Sequence, residues 1–425
     1  TKLNMDDSEA PASRFEAVPV LPPNAIFDIN ARYARDTAPD KLLLGVGAYR
    51  DAELKPYVFE CVSEAKRRLL AAKTHHEYLP IVGMPEFRLE AARLALGDDS
   101  AALSDGCVSS CQAIGGTGAL RIAAEALRRL LGDVKVYIPT PTWGNHRAIL
   151  LAAGFPADDI VPYNVYDPVT KGMDMESTLT AFKSLPPDAV VLLQACAFNP
   201  TGVDPTPEQW DAMLSLIQSA KAFPLFDMAY QGFASGDVRR DNAAIRLAAS
   251  RGMEMFVAQS FSKNMGLYGE RVGCLHMVTG TPGAAAALLS QVEPIVRSMY
   301  SNPPKTGAAV VAMILATPEL RSMWTEELRG VYTRLHSVRE ELVAAISRER
   351  VPGDWSHITK QRGMFSFTGL TRDEVTTLEK DHHVYMLGNG RISLAGLNSK
   401  GCDVLAAAIA RVVSRTREGE SPTEH

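Results

Sequence analysis

Two rhythms alternate through the middle of the chain. Largely apolar, β-branched runs occur at VKVYIP (134–139), DIVPYNV (159–165), AVVLLQACA (189–197), FPLFDMAY (223–230), EMFVAQS (254–260) and RVGCLHMV (271–278). Near-continuous runs of this kind predict strands buried on both faces. Helical spacing fills several of the gaps. In GALRIAAEALRRLLG, Leu120, Ala123, Leu127 and Leu130 recur at three- and four-residue steps, on one face of a helix. Strands alternating with helices predict an α/β fold with a mostly parallel sheet flanked by helices.

The two ends read differently. Residues 19–53 and 331–425 hold fewer buried-strand runs, and 323–349 (MWTEELRGVYTRLHSVREELVAAISRE) predict a long charged helix. With 425 residues the chain is too long for one ordinary core. The expected organisation is an N-terminal arm (1–18), a large domain (54–330) and a smaller α/β domain built from 19–53 and 331–425.

Composition narrows the function classes. Hydrophobic residues at 46% and charged residues at 22% suit a globular enzyme, and a formal net charge of −5 argues against nucleic acid as a partner. No apolar run reaches the roughly 18 residues of a membrane span. The six cysteines have no framework spacing; Cys107 and Cys111 lie four apart, but no Cys or His pair completes a metal pattern, so no metal is expected. Residues 1–19 are acidic and rich in Pro, Ala and Ser, unlike a secretory signal or an Arg-rich transit peptide. The expectation is a cytosolic protein, with the mitochondrial matrix as the second choice, ending in a solvated tail (414–425).

In open α/β sheets, ligands sit at the carboxyl ends of the strands. Polar residues follow the apolar runs at Thr140–His146, Asn199–Gly202, Asp227 and Tyr230, and Ser260–Lys263. All would face one crevice. An isolated lysine is commonly a surface residue, but a partly desolvated Lys263 would lean toward its neutral form, a nucleophile that condenses with aldehydes. Pyridoxal 5′-phosphate is the aldehyde cofactor that uses such an amine. Its ring nitrogen needs a buried carboxylate, for which Asp227 is the candidate unless it only caps a turn. Tyr230 and Asn199 are candidate donors to the ring oxygen. Gly116, Thr117 and Gly118 at a helix start, with Ser260, Ser262 and Arg271, suit a phosphate. Trp143 would cover the ring. The glycine stretches are not dinucleotide or NTP fingerprints: Arg121 and Arg50 occupy the third glycine positions. An amino acid substrate needs an arginine for its α-carboxylate, and a dicarboxylic one needs a second. Arg391 and Arg297 are candidates, although either arginine taken alone reads more readily as a surface residue.

The stretches LGVGAYRD, HEYLPIVGMPEFR, GGTGALR, PTWGNH, ACAFNPTG, FDMAYQGF, SFSKNMGLYGERVG, IVRSMYSNPP, QRGMFSFTGL and GRISLAGL together resemble the class I aminotransferases of fold-type I, in the aspartate aminotransferase group. The match runs in the family's order over residues 20–400. The resemblance implies pyridoxal phosphate and ping-pong transamination between L-aspartate and 2-oxoglutarate, giving oxaloacetate and L-glutamate. A broader aspartate and aromatic specificity is the alternative. It implies that Lys263 carries the cofactor and shuttles the substrate proton, that Asp227 pairs with the ring nitrogen, and that Tyr230 and Asn199 meet the ring oxygen. Gly116, Thr117, Ser260, Ser262 and Arg271 would hold the phosphate, and Trp143 would stack on the ring. Arg391 would clamp the α-carboxylate, with Gly47 against the substrate. Tyr78 and Arg297 would come from the second subunit of a homodimer with shared sites. Three positions depart from the family pattern. Gly115 stands where Ser is usual and removes a hydroxyl from the phosphate cup. Gln194 and Phe198 stand where His is usual and are expected behind the ring, near Asp227.

Overall fold

The computed structural model describes residues 13–23, 25–73 and 75–418, so residues 1–12 of the expected arm and 419–425 of the expected tail lie outside it. At its centre is a seven-stranded sheet, ordered Val108–Ile114, Val272–Val278, Met255–Ser260, Phe223–Met228, Val190–Gln194, Val136–Thr140, Ile160–Asn164. Neighbours are parallel except that Val272–Val278 runs antiparallel to both of its partners. The central strands are buried along their whole length, as near-continuous apolar runs require.

Six of the seven strands coincide with the apolar runs. The seventh, Val108–Ile114, does not, because Ser109, Ser110 and Gln112 break its pattern. These side chains are nonetheless buried, two of them with internal partners. Ser110 Oγ lies 2.8 Å from His276 Nδ1. Gln112 accepts from Met84 N at 3.0 Å and donates to Pro304 O at 2.7 Å.

The strand passes directly into the helix Gly115–Leu131, whose Leu120, Ala123 and Leu127 pack against the sheet. Leu130, expected on the same face, is 42% exposed, because it lies in the helix's last turn beyond the covered part of the sheet. The long helix runs from Pro318 to Arg348, five residues earlier than the charged pattern suggests, and is continuous through residue 331. Pro318 suits its first turn, where a missing N–H costs nothing.

The chain ends meet. Leu42–Leu43 pairs in parallel with Val384–Tyr385, and Asp36 accepts from Tyr385 Oη at 2.8 Å and lies 2.7 Å from His383 Nδ1. Phe365–Phe367 pairs with Arg391–Ser393 beside them. The last helix, Ser399–Glu418, lies along the long one.

Candidate active site

Six of the seven strands run in one direction and deliver their carboxyl ends to one edge of the sheet. The reversed strand begins there, which brings Arg271 to the same edge. One pocket results, and its walls include Lys263, Asp227, Tyr230, Asn199 and Trp143 on one side. Gly116, Thr117, Ser260, Ser262 and Arg271 close the other.

Lys263 stands three residues past the strand Met255–Ser260. Burial, with Arg271 nearby, lowers its pKa to about 8, against a pull upward from Asp227. Its Nζ lies 5.8 Å from the Tyr230 ring centre and 5.6 Å from that of Tyr268. Among the described residues it has no hydrogen-bond acceptor, so the amine is free to react.

Asp227, near the end of its strand, is 8% exposed, and its Oδ2 lies 2.9 Å from His146 Nε2. Thr142 Oγ1 lies 2.8 Å from the other ring nitrogen of His146. Trp143 meets that imidazole edge-on at 5.3 Å. In the sequence His146 only closes the polar stretch Thr140–His146, without a role of its own, and Tyr268 does not stand out. Both sit inside motifs that carry other candidates, and nothing in residue type or spacing marks a histidine that supports a carboxylate. Tyr268 accepts from Tyr49 N at 2.8 Å, tying the pocket to the chain beside Gly47.

The departures resolve differently. Gln194 lines the pocket and holds Asn199 by both backbone groups, accepting from its N at 2.8 Å and donating to its O at 3.1 Å. It also donates to Thr142 Oγ1 at 3.2 Å. Phe198 is not part of the pocket; it packs against Trp210 in the core beneath the sheet. Gly115 has φ +71°, and a Cβ built there would lie 2.5 Å from Arg271 Nη2. The guanidinium therefore occupies the space a serine would need.

The rim for an anion is built mostly of backbone. Gly115 N–H donates to Arg271 O at 3.1 Å, and no side chain caps the helix Gly115–Leu131, which leaves the next N–H groups, at Gly116 and Thr117, for an anion in the pocket. Arg271 donates to Tyr268 O at 2.9 Å and to Ser262 Oγ at 3.4 Å, which fixes its plane beside that helix start. Gly116 approaches Ser260 so closely that a Cβ would sit 2.9 Å from Ser260 Cβ.

Arg391 crosses from the strand Arg391–Ser393, donating to Asn199 Oδ1 at 3.1 Å and Gly45 O at 2.8 Å. Its guanidinium lies 4.0 Å over the Phe365 ring, and its Nε is buried without a partner. Burial lowers its pKa to about 10, partly offset by Tyr230. A Cβ on Gly47 would touch Phe365 Cζ at 3.4 Å, so Gly47 shares this wall. Tyr78 and Arg297 lie elsewhere. Tyr78 is 87% exposed, and Arg297 is exposed with a hydrogen bond to Ser301. Asn302 Nδ2 donates to Leu79 O at 3.2 Å, which sets their two segments side by side on the surface. Among the described residues, no group of three or more His, Cys, Asp or Glu gathers as a metal site.

The family model for aminotransferase class I and II matches residues 39–409. The mitochondrial aspartate aminotransferase of Dictyostelium discoideum is 44% identical over 391 residues, 92% of this chain and 91% of its own length. The cytoplasmic aspartate aminotransferase of Oryza sativa subsp. japonica is 43% identical over 409 residues, 96% of this chain and 100% of its own. The aromatic-amino-acid aminotransferase of Burkholderia pseudomallei, in a crystal structure covalently bound to pyridoxal phosphate, superposes with a TM-score of 0.91 at 40% identity. That match covers 95% of this chain and 100% of the other.

Proposed function

The chain belongs to the class I and II aminotransferases, and on that premise we propose that it moves the amino group of L-aspartate to 2-oxoglutarate, in ping-pong order. Oxaloacetate and L-glutamate are the products. It is a pyridoxal phosphate enzyme of fold-type I. The residues present fit that cofactor: a free amine of lowered pKa, a buried carboxylate, and an uncapped helix start beside an arginine face one pocket.

When bound, pyridoxal phosphate supplies an electrophilic aldehyde carbon and a ring that withdraws electrons. Lys263 would hold it covalently, and Asp227, backed by His146, would keep a proton on its ring nitrogen. Tyr230 and Asn199 would donate to its ring oxygen, and Trp143 would cover its face. Gly116, Thr117, Ser260, Ser262 and Arg271 would surround its phosphate.

Arg391 would take the substrate α-carboxylate in a bidentate grip, its plane set by Phe365 and Asn199. Lys263 Nζ would remove the substrate Cα proton and return it, alternating as base and acid near its pKa of about 8. Arg391 and Tyr230 both pack on Phe365, and together they would limit water around the reacting carbon.

The shared sites of a homodimer are part of this reading. What supports them is the exposure of Tyr78 and Arg297 in a single chain; on a second copy they would face its pocket, and Arg297 would read the side-chain carboxylate. Aromatic substrates are the second reading, supported by the Burkholderia likeness. A cytosolic or other reducing compartment is supported by six free thiols, five of them buried. No described helix is long and apolar enough to cross a membrane.

The observation that carries the proposal is the unbonded, desolvated amine of Lys263 in the pocket of Asp227. Borohydride reduction of the protein loaded with pyridoxal phosphate should place one label, on Lys263, by peptide mass spectrometry. Labelling spread over surface lysines would refute it. Comparing kcat/KM for aspartate, phenylalanine and tyrosine separates the two substrate readings.

A further inference from the structure

Behind the wall of the substrate pocket lies a second cavity of about 410 Å³, within the usual range of small-molecule sites. Arg240, Arg339, Lys360 and Arg362 line it together with His336, and no carboxylate does. Surface cations are normally solvated or paired, and some near this cavity are paired. Arg239, next to Arg240, reaches Asp99 at 2.8 Å, and Arg348 reaches Asp403 at 2.6 Å. Arg240, Lys360 and Arg362 have neither an ion pair nor a side-chain hydrogen bond among the described residues.

Arg339 is the unusual member. It is 2% exposed and donates only to neutral carbonyls: Ile358 O at 2.8 Å, Gly363 O at 2.9 Å and Phe365 O at 2.7 Å. Asp204 acts on Arg339 and Arg362 through space without forming an ion pair. One carboxylate thus faces two arginines, while Asp354 acts on Lys360 from outside the cavity and Glu340 lies 3.5 Å from His336, and burial drives the Arg339 pKa down to about 9. A buried charge without an ionic partner is costly, and an anion entering the cavity would relieve it.

We propose that this cavity binds a small multivalent oxyanion, a phosphate ester or a polycarboxylate, gripped by exposed Arg240, Lys360 and Arg362 above buried Arg339. The site adjoins the substrate wall. Arg339 holds the carbonyl of Phe365, whose ring carries Arg391, and Phe233 of the cavity meets Tyr230 edge-on at 6.4 Å. Any effect on aspartate turnover rests on the reaction proposed above; binding itself does not.

Calorimetric titration of the holoenzyme at low ionic strength tests the site, with inorganic pyrophosphate in one arm and citrate in the other. The expected result is saturable binding at this site, and the tighter arm identifies the ligand class. The Arg240→Gln/Lys360→Gln/Arg362→Gln variant should bind at least about tenfold more weakly, since it loses three charge-assisted contacts. Its melting temperature and its aspartate kcat/KM without added anion should match the parent's. Lys360→Glu alone should also weaken binding, which keeps the test sound if the triple variant folds poorly. No saturable binding in either arm, or unchanged affinity in both variants, would overturn the proposal.

Discussion

His146 and Asp227 lie 2.9 Å apart, nitrogen to carboxylate oxygen, both buried beneath the pocket. The pair is the end of a directed chain. Asn199 N–H fixes Gln194 Oε1, so Gln194 Nε2 donates to Thr142 Oγ1. The Thr142 hydroxyl lies 2.8 Å from His146 Nδ1 and is free to donate to it, the arrangement in which the ring N–H at Nε2 points at Asp227. A buried carboxylate thus keeps a donor without needing a second full charge.

Loss of that donor should be costly. A hydrogen bond to a buried charge is worth roughly 1.5–3 kcal/mol, so His146→Ala should lower aspartate kcat/KM by about 10–100-fold. Asp227→Asn should lower it further. Steady-state kinetics of the two variants, with cofactor occupancy checked by absorbance, decide the point. Unchanged kinetics for His146→Ala would mean that the contact only packs.

The depressed pKa of Lys263 can be read in the cofactor-free protein. Only the neutral amine acylates, so labelling of Lys263 by an acid anhydride should rise with pH and reach half its maximum near pH 8. Arg271→Leu should move that midpoint upward, because one of the cations opposing the ammonium is gone. The unfolded chain keeps the proton up to the ordinary value of 10.5. Stability of the cofactor-free protein should therefore gain a contribution as pH rises from about 8 to 10.5, absent in Lys263→Met. Denaturant titration across that range measures it.

Asp241 gives the opposite slope. Burial raises its pKa to about 6, although Ser235, Ala234 and Gly232 donate to it. The folded state therefore binds the extra proton. Its stabilising share is complete below the ordinary 3.8 and is lost as pH rises through about 6. Asp241→Asn keeps an acceptor for both backbone donors and removes the charge. Its melting temperature relative to the parent should improve between pH 5 and pH 8. Asp241→Ala orphans both N–H groups and should cost about 2–4 kcal/mol at either pH.

Shared sites make a sharp prediction for mixed dimers. Lys263→Ala and Arg297→Asp should each be poor with aspartate. Refolded together, heterodimers would hold one intact site, so about a quarter of parental activity should return if pairing is random. No recovery on mixing would place Arg297 outside the partner's site.

Much of this architecture was legible because buried parallel strands must be apolar and their carboxyl ends must be polar where a ligand sits. Lys263, Asp227, Asn199 and Ser260 announced themselves by that contrast. Val108–Ile114 escaped because Ser109, Ser110 and Gln112 read as surface until their internal environment is seen. His146 was legible as part of the polar stretch Thr140–His146, but its role was not, because a residue whose task is to hold another side chain leaves no local pattern. Phe365, the platform for Arg391, looks like any core aromatic until the strand pairing brings the two together. The roles proposed for Tyr78 and Arg297 rest on a second copy of the chain, which no pattern in one sequence displays.

Because the Arg271 guanidinium fills the volume beside Gly115, any side chain at position 115 is coupled to the pose of that arginine. Adding a serine hydroxyl there by mutation would first have to evict the guanidinium and bend a backbone held at positive φ. The guanidinium is the movable end of a long side chain, so an engineer who wants the extra hydroxyl has to meet the backbone cost at φ +71° and let Arg271 swing aside.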